Sequence, residues 1–157
     1  MSINLEPVAI VKNSRHEIAD DYWGSVVSEI KLMDAIPMDA FNGIDSFSHL
    51  EIIFYFDKTD KAKAVFKGRP RGNKEWPEVG IFAQRKKDRP NSIGLTIVEL
   101  IKRDGRTITV KNLDAIDGTP ILDIKPVMKE FLPVNEIKQP LWSTELMKDY
   151  WRNGPDQ

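Results

Sequence analysis

Residues 92–113 read SIGLTIVELIKRDGRTITVKNL, and this stretch decides the class of fold that the sequence predicts. Two runs rich in Ile, Val, Leu and Thr flank residues 103–105 (RDG), a pattern typical of a β-hairpin. A three-residue loop with its glycine in the left-handed region sets Leu100 opposite Ile108, whereas a two-residue loop over Asp-Gly sets Ile101 opposite Ile108. We predict the three-residue loop, because it matches apolar side chains along one face.

Further short apolar runs predict the remaining strands. They are separated by loops rich in Gly, Pro, Asn and Asp, and they lie at residues 6–11, 26–32, 46–56, 79–83 and 121–124. Residues 46–56 (SFSHLEIIFYF) form the strongest run, and since both parities are apolar we expect burial on both faces. Residues 59–66 are suited to one or two helical turns. The sequence therefore predicts a mainly β fold, either a small barrel or a sandwich.

An amphipathic helix is predicted near the C-terminus, over residues 143–152. Ser143 is a suitable N-cap, and apolar residues recur behind it at helical spacing. Gly154 and Pro155 should end the helix. We expect it to cover one face of the sheet, within a single domain that spans residues 1–157.

Composition excludes several classes of protein. A chain of 157 residues is suited to one domain, and with no cysteine it has neither disulfides nor a thiolate metal site. His16 and His49 lack the spacing of metal ligands, so we expect no metal. His49 can act as a catalytic base, although a structural role is the alternative. No apolar run approaches the ~20 residues of a membrane span, so we expect a cytoplasmic protein without a membrane segment.

Positive charge is concentrated in residues 67–89. The chain carries a net charge of −1, yet this segment holds eight basic and three acidic residues, a local net charge of +5. Such an excess attracts polyanions, although a solvated loop is the alternative interpretation. The candidate contacts to nucleic acid are Arg69, Arg71, Lys86, Lys87, Arg89 and Asn91.

Two loops carry more chemistry than a turn requires. A loop that only turns needs Gly, Pro, Asn or Asp, but residues 85–94 and 114–120 also hold guanidinium groups and additional carboxylates. Arg85 can bind a carboxylate or phosphate in bidentate fashion. Asp117 can accept hydrogen bonds from a ribose, an ammonium group or an adenine amine, and Gly118 lets a ligand approach the backbone. A plain Asp-Gly turn is the alternative for the second loop.

The same loops resemble the TsaA/TrmO family. The resemblance is carried by residues 80–85 (GIFAQR), 89–95 (RPNSIGL) and 114–126 (DAIDGTPILDIKP), with SFSHL at 46–50 and RPRGN at 69–73 as intermediate motifs. It implies a small β-barrel that forms a homodimer and binds S-adenosyl-L-methionine near the subunit interface. It further implies methylation of N-threonylcarbamoyladenosine beside the anticodon of tRNA.

The resemblance also implies site residues. It places cofactor contacts at Arg85, Leu95, Asp117, Gly118, Thr119 and Pro120. Asp57 and Lys58 stand at another contact pair, with Asp57 in place of the family's usual histidine. The family's Pro-Arg-Gln motif is not recognisable, and Trp23, Gly24 and Ser25 correspond to it only loosely; a hydrophobic plug is the alternative role for Trp23.

The resemblance does not assign a catalytic residue. Asp114 and Asp117 are the nearest candidates for a general base. Two alternative functions are left open beside tRNA methylation. One is transfer of the methyl group to another RNA or to a small molecule, and the other is a non-catalytic, regulatory barrel that binds S-adenosyl-L-methionine.

Overall fold

The computed structural model describes residues 1–154 and shows a closed β-barrel, which confirms the predicted mainly β class. The strands of these residues are β1 (Ala9–Lys12), β2 (Val27–Leu32), β3 (His49–Tyr55), β4 (Lys67–Gly68), β5 (Val79–Gly80), β6 (Ile93–Asp104), β7 (Thr107–Lys111) and β8 (Pro120–Pro126). The barrel order is β1-β2-β7-β6-β3-β8, closed by pairing of β8 with β1. Strands β4 and β5 form a separate two-stranded ribbon. Residues 155–157, with Pro155, lie outside the described part.

Alternating side chains fill the barrel. Along β2 and the first half of β6, up to Val98, every second residue is buried, as expected for strands with one face toward a core. Phe54 is the largest fully buried side chain, and it lies opposite Gly94 on the neighbouring strand. A Cβ at position 94 would lie 2.4 Å from the Phe54 ring, so the glycine makes room for the aromatic core residue.

Strand β3 is buried on one face only, and the expectation of burial on both faces is wrong. Its inward side chains, Leu50, Ile52 and Phe54, are almost fully buried, whereas its outward residues are half-buried or exposed. The outer surface of a closed barrel stays accessible unless another element covers it. Ile53 and Tyr55 therefore belong to an apolar outer surface rather than to the core.

The hairpin between β6 and β7 differs from both predicted loops. Asp104 pairs with Thr107, so the loop is Gly105-Arg106, with Gly105 at a φ of 58°. A bulge at Ile101 shifts the register, and Leu100 therefore pairs with Val110 rather than with Ile108. Beyond the bulge, the alternate set of β6 side chains faces inward. This turns Arg103 toward the barrel end, where its guanidinium donates 3.0 Å to the carbonyl of Phe41.

The C-terminal helix is shorter and begins earlier than predicted. Helix α1 spans Leu141–Leu146, with Pro140 at the N-cap, so the predicted span of 143–152 is wrong at both ends. Ser143 lies inside the helix and its hydroxyl donates 2.7 Å to the Pro140 carbonyl. Residues 147–152 continue as turns. Among residues 1–154, no helix is long and apolar enough to cross a lipid bilayer.

Residues 59–83 contain short elements. The predicted helical turns near 59–66 correspond to a 3-10 turn at Lys61–Lys63. The predicted strand 79–83 is wrong in its second half, because Ile81–Ala83 form a 3-10 turn after β5. Ile81, which is 2% exposed, anchors this turn.

Candidate active site at one end of the barrel

The antiparallel topology gathers the long polar loops at one barrel end, which we call the site end. Because neighbouring strands alternate in direction, the carboxyl ends of β1, β3 and β7 lie beside the amino ends of β2, β6 and β8. Three loops project from this end, at residues 13–26, 56–92 and 112–119. These loops, together with the starts of β6 and β8, hold every candidate cofactor residue. Topology thus brings together residues from four separate parts of the sequence.

Asp114 is held by two hydroxyl groups. Thr96 on β6 donates to Oδ1, and Tyr150 from the C-terminal segment, residues 141–152, donates to Oδ2. Thr96 is buried and faces inward, while Asp114 itself is half-buried. Both oxygens of the carboxylate are therefore oriented, and each oxygen retains a lone pair for a further partner.

Arg85 lies beside this cluster. Its guanidinium donates to the main-chain carbonyl of Leu95, one residue before Thr96. Leu95 points outward from β6 and is 45% exposed. The arrangement sets a cation next to an apolar surface, as a ligand with a carboxylate and an aromatic base requires.

The ring of Tyr150 is surrounded by charges of both signs. Burial, followed by the charge and the hydrogen bond of Asp114, raises the pKa of the Tyr150 hydroxyl far above its ordinary value. Arg85 and Arg71 offset only part of that rise. The hydroxyl therefore remains a proton donor throughout the physiological pH range.

Asp117 belongs to a second group of contacts, at the end of β1. Its Oδ1 accepts a 3.0 Å hydrogen bond from the amide of Asn13, and its Oδ2 lies 3.4 Å from Nδ1 of His16. The Asn13 side chain in turn donates to Ser28 and to the Ala115 carbonyl, at 2.9 and 2.8 Å. Asp117 thus fastens the first loop to the third.

The turn after Asp117 leaves room for a ligand. Gly118 has a φ of 81°, and no heavy atom lies within 4 Å of the place where its Cβ would be. Thr119 is buried, with its hydroxyl donating 2.7 Å to the carbonyl of Ile116. Of the four residues 117–120, Gly118 is the one that is exposed.

Trp23 and Gly24 lie against the C-terminal segment, and Ser25 follows them as a half-buried residue. Trp23 is 3% exposed, and the guanidinium of Arg15 stacks 4.3 Å from its ring centroid. A Cβ on Gly24 would lie 2.1 Å from the carbonyl oxygen of Trp151, so the two backbones touch. The structure gives Trp23 a packing role, the alternative that its sequence context left open.

Many of the basic candidates are engaged within the chain. Arg71 forms two hydrogen bonds to Asp21, at 3.1 and 2.8 Å. Burial opposes its charge, but Asp21 and then Asp20 outweigh burial and raise the pKa of Arg71. Arg89 donates 2.8 Å to the Gln84 carbonyl, and Arg69 donates to the Trp76 carbonyl.

The remaining candidates lie at the surface. Lys86 and Lys87 approach Asp88 at 4.0 and 3.3 Å, and Asn91 is exposed with a φ of 67°. Asp57 and Lys58 are exposed and lie 4.0 Å apart. His49 lies at the opposite barrel end, bound to Ser48 at 2.7 Å, which removes it from the candidate site.

Sequence reasoning missed Thr96 and Tyr150. Thr96 lies in a run of strand residues, and Tyr150 lies within the predicted helix of residues 143–152. The sequence signal for Thr96 is a hydroxyl side chain at an inward-facing position of β6, among otherwise apolar residues. For Tyr150 the sequence offers no such signal, because its partner lies 36 residues away.

The fold and these loops define a class of protein, a small closed β-barrel with its charged and polar loops gathered at one end. The model of one family, the tRNA-methyltransferase O N-terminal domain, matches residues 19–131. The chain belongs to this family. The resemblance seen in the loop sequences is thereby confirmed.

Individual relatives differ in length. An S-adenosyl-L-methionine-binding protein of Archaeoglobus fulgidus is 33% identical over 140 residues, which cover 85% of this chain and 96% of that protein. The human tRNA (adenine(37)-N6)-methyltransferase is 36% identical over 105 residues, covering 67% of this chain but only 24% of the enzyme. A crystal structure of TrmO has a TM-score of 0.72 at 26% identity, covering 88% of this chain and 64% of that one.

Proposed function

We propose that this chain is an S-adenosyl-L-methionine-dependent methyltransferase that modifies the N6 nitrogen of N-threonylcarbamoyladenosine beside the anticodon of tRNA. Membership of the tRNA-methyltransferase O family and the names of the relatives support the cofactor and the substrate class. The observation that carries the proposal is the gathering of Arg85, Leu95, Asp114 and the 117–120 turn at one barrel end.

The residues present fit the cofactor. Arg85 would hold the carboxylate of its methionine part, Leu95 supplies apolar surface for an aromatic base, and the open backbone at Gly118 admits close approach. Asp117 and Pro120 border this turn, and Asp57, Lys58 and Ser25 edge the same barrel end. When bound, S-adenosyl-L-methionine supplies an electrophilic methyl group on a sulfonium. Alignment of donor and acceptor can contribute up to ~7–11 kcal/mol to catalysis.

Asp114 is the better candidate for the general base. The acceptor N6–H must lose its proton as the new N–CH₃ bond forms and the S–CH₃ bond breaks, and a carboxylate can take that proton. Asp117 is committed to Asn13 and His16, whereas Asp114 receives only hydroxyl donors and stands next to Arg85. We therefore assign proton removal to Asp114 and a structural and cofactor-binding role to Asp117.

The tRNA phosphates would meet the loop that begins at Arg85. Lys86 and Lys87 are the least constrained of the basic candidates, since surface pairs with Asp88 contribute little stability. Arg69, Arg71 and Arg89 shape this surface with guanidinium groups that are largely bonded to the chain itself, and Asn91 lies exposed beside them. A tRNA substrate also implies a cytoplasmic location.

A homodimer is part of the proposal. Strand β6 turns a row of apolar residues outward, with Ile93, Leu95 and Ile97 exposed by 38–45%. Ile53 and Tyr55 on β3 pair with Leu95 and Ile93 and extend the row sideways. We call these five residues the outer apolar row. A second copy is its proposed occupant, because Leu95 links the row to the candidate cofactor site, and a self-complementary contact would set two sites at one interface.

A second function keeps the cofactor but not the reaction. The Archaeoglobus relative, which this chain covers almost end to end, is named for binding S-adenosyl-L-methionine, while the named methyltransferase is about four times longer than the matched part. That observation favours a binding or regulatory barrel. Turnover distinguishes the two functions.

The deciding experiment has two stages. Calorimetric titration of the purified protein with S-adenosyl-L-methionine should give micromolar binding. Incubation with radiolabelled cofactor should then label tRNA that carries threonylcarbamoyladenosine, but not the same tRNA transcribed without modification. Binding without label transfer to any tRNA would favour the regulatory barrel, and absence of binding would contradict both functions.

A further inference from the structure

The C-terminal segment, residues 141–152, lies outside the matched family domain but docks on the site end. The amides of Tyr22, Trp23 and Gly24 donate to carbonyls of Asp149, Tyr150 and Arg152, at 3.1, 2.8 and 3.1 Å. These bonds form a short backbone junction between the first loop and the segment. The part of the chain that matches the family model ends at residue 131, so it does not include the C-terminal segment that contacts the candidate site.

Two side-chain contacts hold the same segment from the other side. The indole N–H of Trp76 donates 2.9 Å to a carboxylate oxygen of Glu145. The ring of Trp76 also lies 6.4 Å from that of Trp142, between centroids. The segment is therefore fixed on two loops, and its side chains have defined positions.

Docking carries the Tyr150 hydroxyl onto Asp114. It donates to Oδ2, while Thr96 of β6 donates to Oδ1, so one donor comes from the barrel wall and the other from the segment. Tyr150 is half-buried and packs edge-to-face against Trp151, at 5.0 Å between ring centroids. Rotation of the Asp114 carboxylate would break both hydrogen bonds.

We propose that Tyr150 is a positioning residue for the methyl transfer, which holds the Asp114 carboxylate aligned for the acceptor nitrogen. The inference rests on the proposed function and adds the C-terminal segment to its site. Tyr150 touches neither cofactor nor substrate in this scheme; it acts through Asp114.

The charges that face Tyr150 support this role. Asp114 lies on one side, with Arg85 and Arg71 as the nearby cations, and Arg71 is itself neutralised by Asp21 and Asp20. The raised pKa of Tyr150 keeps the proton on its hydroxyl, so the hydroxyl remains the donor to Asp114.

The test compares Tyr150→Phe with Tyr22→Phe. The first substitution keeps the ring and removes the hydroxyl that binds Asp114, whereas the second removes a hydroxyl from an exposed ring at the same junction. In Tyr150→Phe, the carboxyl ¹³C chemical shift of Asp114 at neutral pH should change, because the carboxylate loses one of its two hydroxyl donors. At neutral pH kcat should fall about tenfold, as expected for a lost hydrogen bond to a charged group, with the KM for cofactor little changed. Tyr22→Phe should match the wild type in every measure.

The outcomes separate the inference from the function beneath it. If the wild type methylates tRNA and Tyr150→Phe changes neither the Asp114 ¹³C shift nor kcat, the positioning role is overturned. If the Asp114 signal moves but the wild type transfers no methyl group to any tRNA, the hydrogen-bond role stands and the proposed function fails. Should Tyr150→Phe undock the segment, Asp114→Asn decides: the Tyr150 ring ¹³Cζ signal must move when the carboxylate becomes an amide, and an unchanged signal contradicts the proposal.

Discussion

Asp117 performs a structural task that does not depend on any ligand. Its carboxylate fixes the amide of Asn13 and lies near His16, which joins two loops of the site end. Asp117→Ala removes a partner from a half-buried amide and should lower the free energy of unfolding by about 1–3 kcal/mol without cofactor. Asp117→Asn keeps an oxygen for that amide and should lose less, as urea denaturation will measure. Equal losses in the two variants would contradict the structural role.

Arg85 is the residue whose loss should affect the cofactor most directly. Arg85→Ala removes the guanidinium beside Leu95, and affinity for S-adenosyl-L-methionine should fall by about 10- to 100-fold, since hydrogen bonds to charged groups are worth about 1.5–3 kcal/mol. Calorimetric titration measures the change. Arg152→Ala is the matched control, because that guanidinium lies 3.1 Å from the carboxylate of nearby Asp149. Unchanged affinity in Arg85→Ala would remove Arg85 from the binding site.

At the scale of elements, the pairing of β3 with β6 depends on the fit between Phe54 and Gly94. Gly94→Ala would place a methyl group 2.4 Å from the Phe54 ring, and since the site is inside the barrel we expect destabilisation of about 1–3 kcal/mol. Gly68 lies on the ribbon strand β4, with no heavy atom within 4 Å of the place where its Cβ would be, and Gly68→Ala should change stability by about 0.5 kcal/mol or less. Thermal unfolding compares the two variants. A Gly94→Ala protein as stable as the control would mean that Phe54 repacks without strain.

Element types could be predicted from the sequence better than their ends and registers. Strand runs such as 26–32 are recognisable by their apolar, β-forming residues, and the structure places β2 within one residue of that range. The predicted register of the hairpin was wrong because the strand has a bulge at Ile101, which the contacts of Arg103 at the barrel end favour. No local sequence pattern reveals those contacts. The predicted bounds of the helix were wrong because its start is set by Pro140 and its end by the backbone junction with residues 22–24.

At the scale of the whole molecule, the candidate site is a product of topology. Arg85, Asp114 and Asp117 could be named from loop composition and family resemblance, because their residue types exceed what a turn needs. Their separation into two contact groups, and the addition of Tyr150, required the closed barrel and the docked segment. The local charge of residues 67–89 was also predictable, but its partial neutralisation by Asp21 was not, since that carboxylate lies 50 residues from Arg71.

The outer apolar row gives a prediction about assembly. If a second copy covers it, Ile97→Lys should convert a dimer to a monomer, because a desolvated lysine facing its symmetry mate would destabilise a self-complementary contact. Val27→Lys is the matched control: both positions are 44% exposed, but Val27 lies on β2, separated from β6 by β7. Size-exclusion chromatography with light scattering measures the mass of each variant.

The same pair of variants tests whether assembly and cofactor binding are coupled. Leu95 is two residues from Ile97 on the same outward face, and its carbonyl accepts from Arg85. If the interface helps to build the site, Ile97→Lys should lose affinity for S-adenosyl-L-methionine together with its partner, while Val27→Lys keeps both. A monomeric Ile97→Lys protein with wild-type affinity would instead show that one barrel holds the whole cofactor site. A wild type that is monomeric at micromolar concentration would exclude the second copy as the occupant of the row, since the exposed row alone would then have failed to drive association.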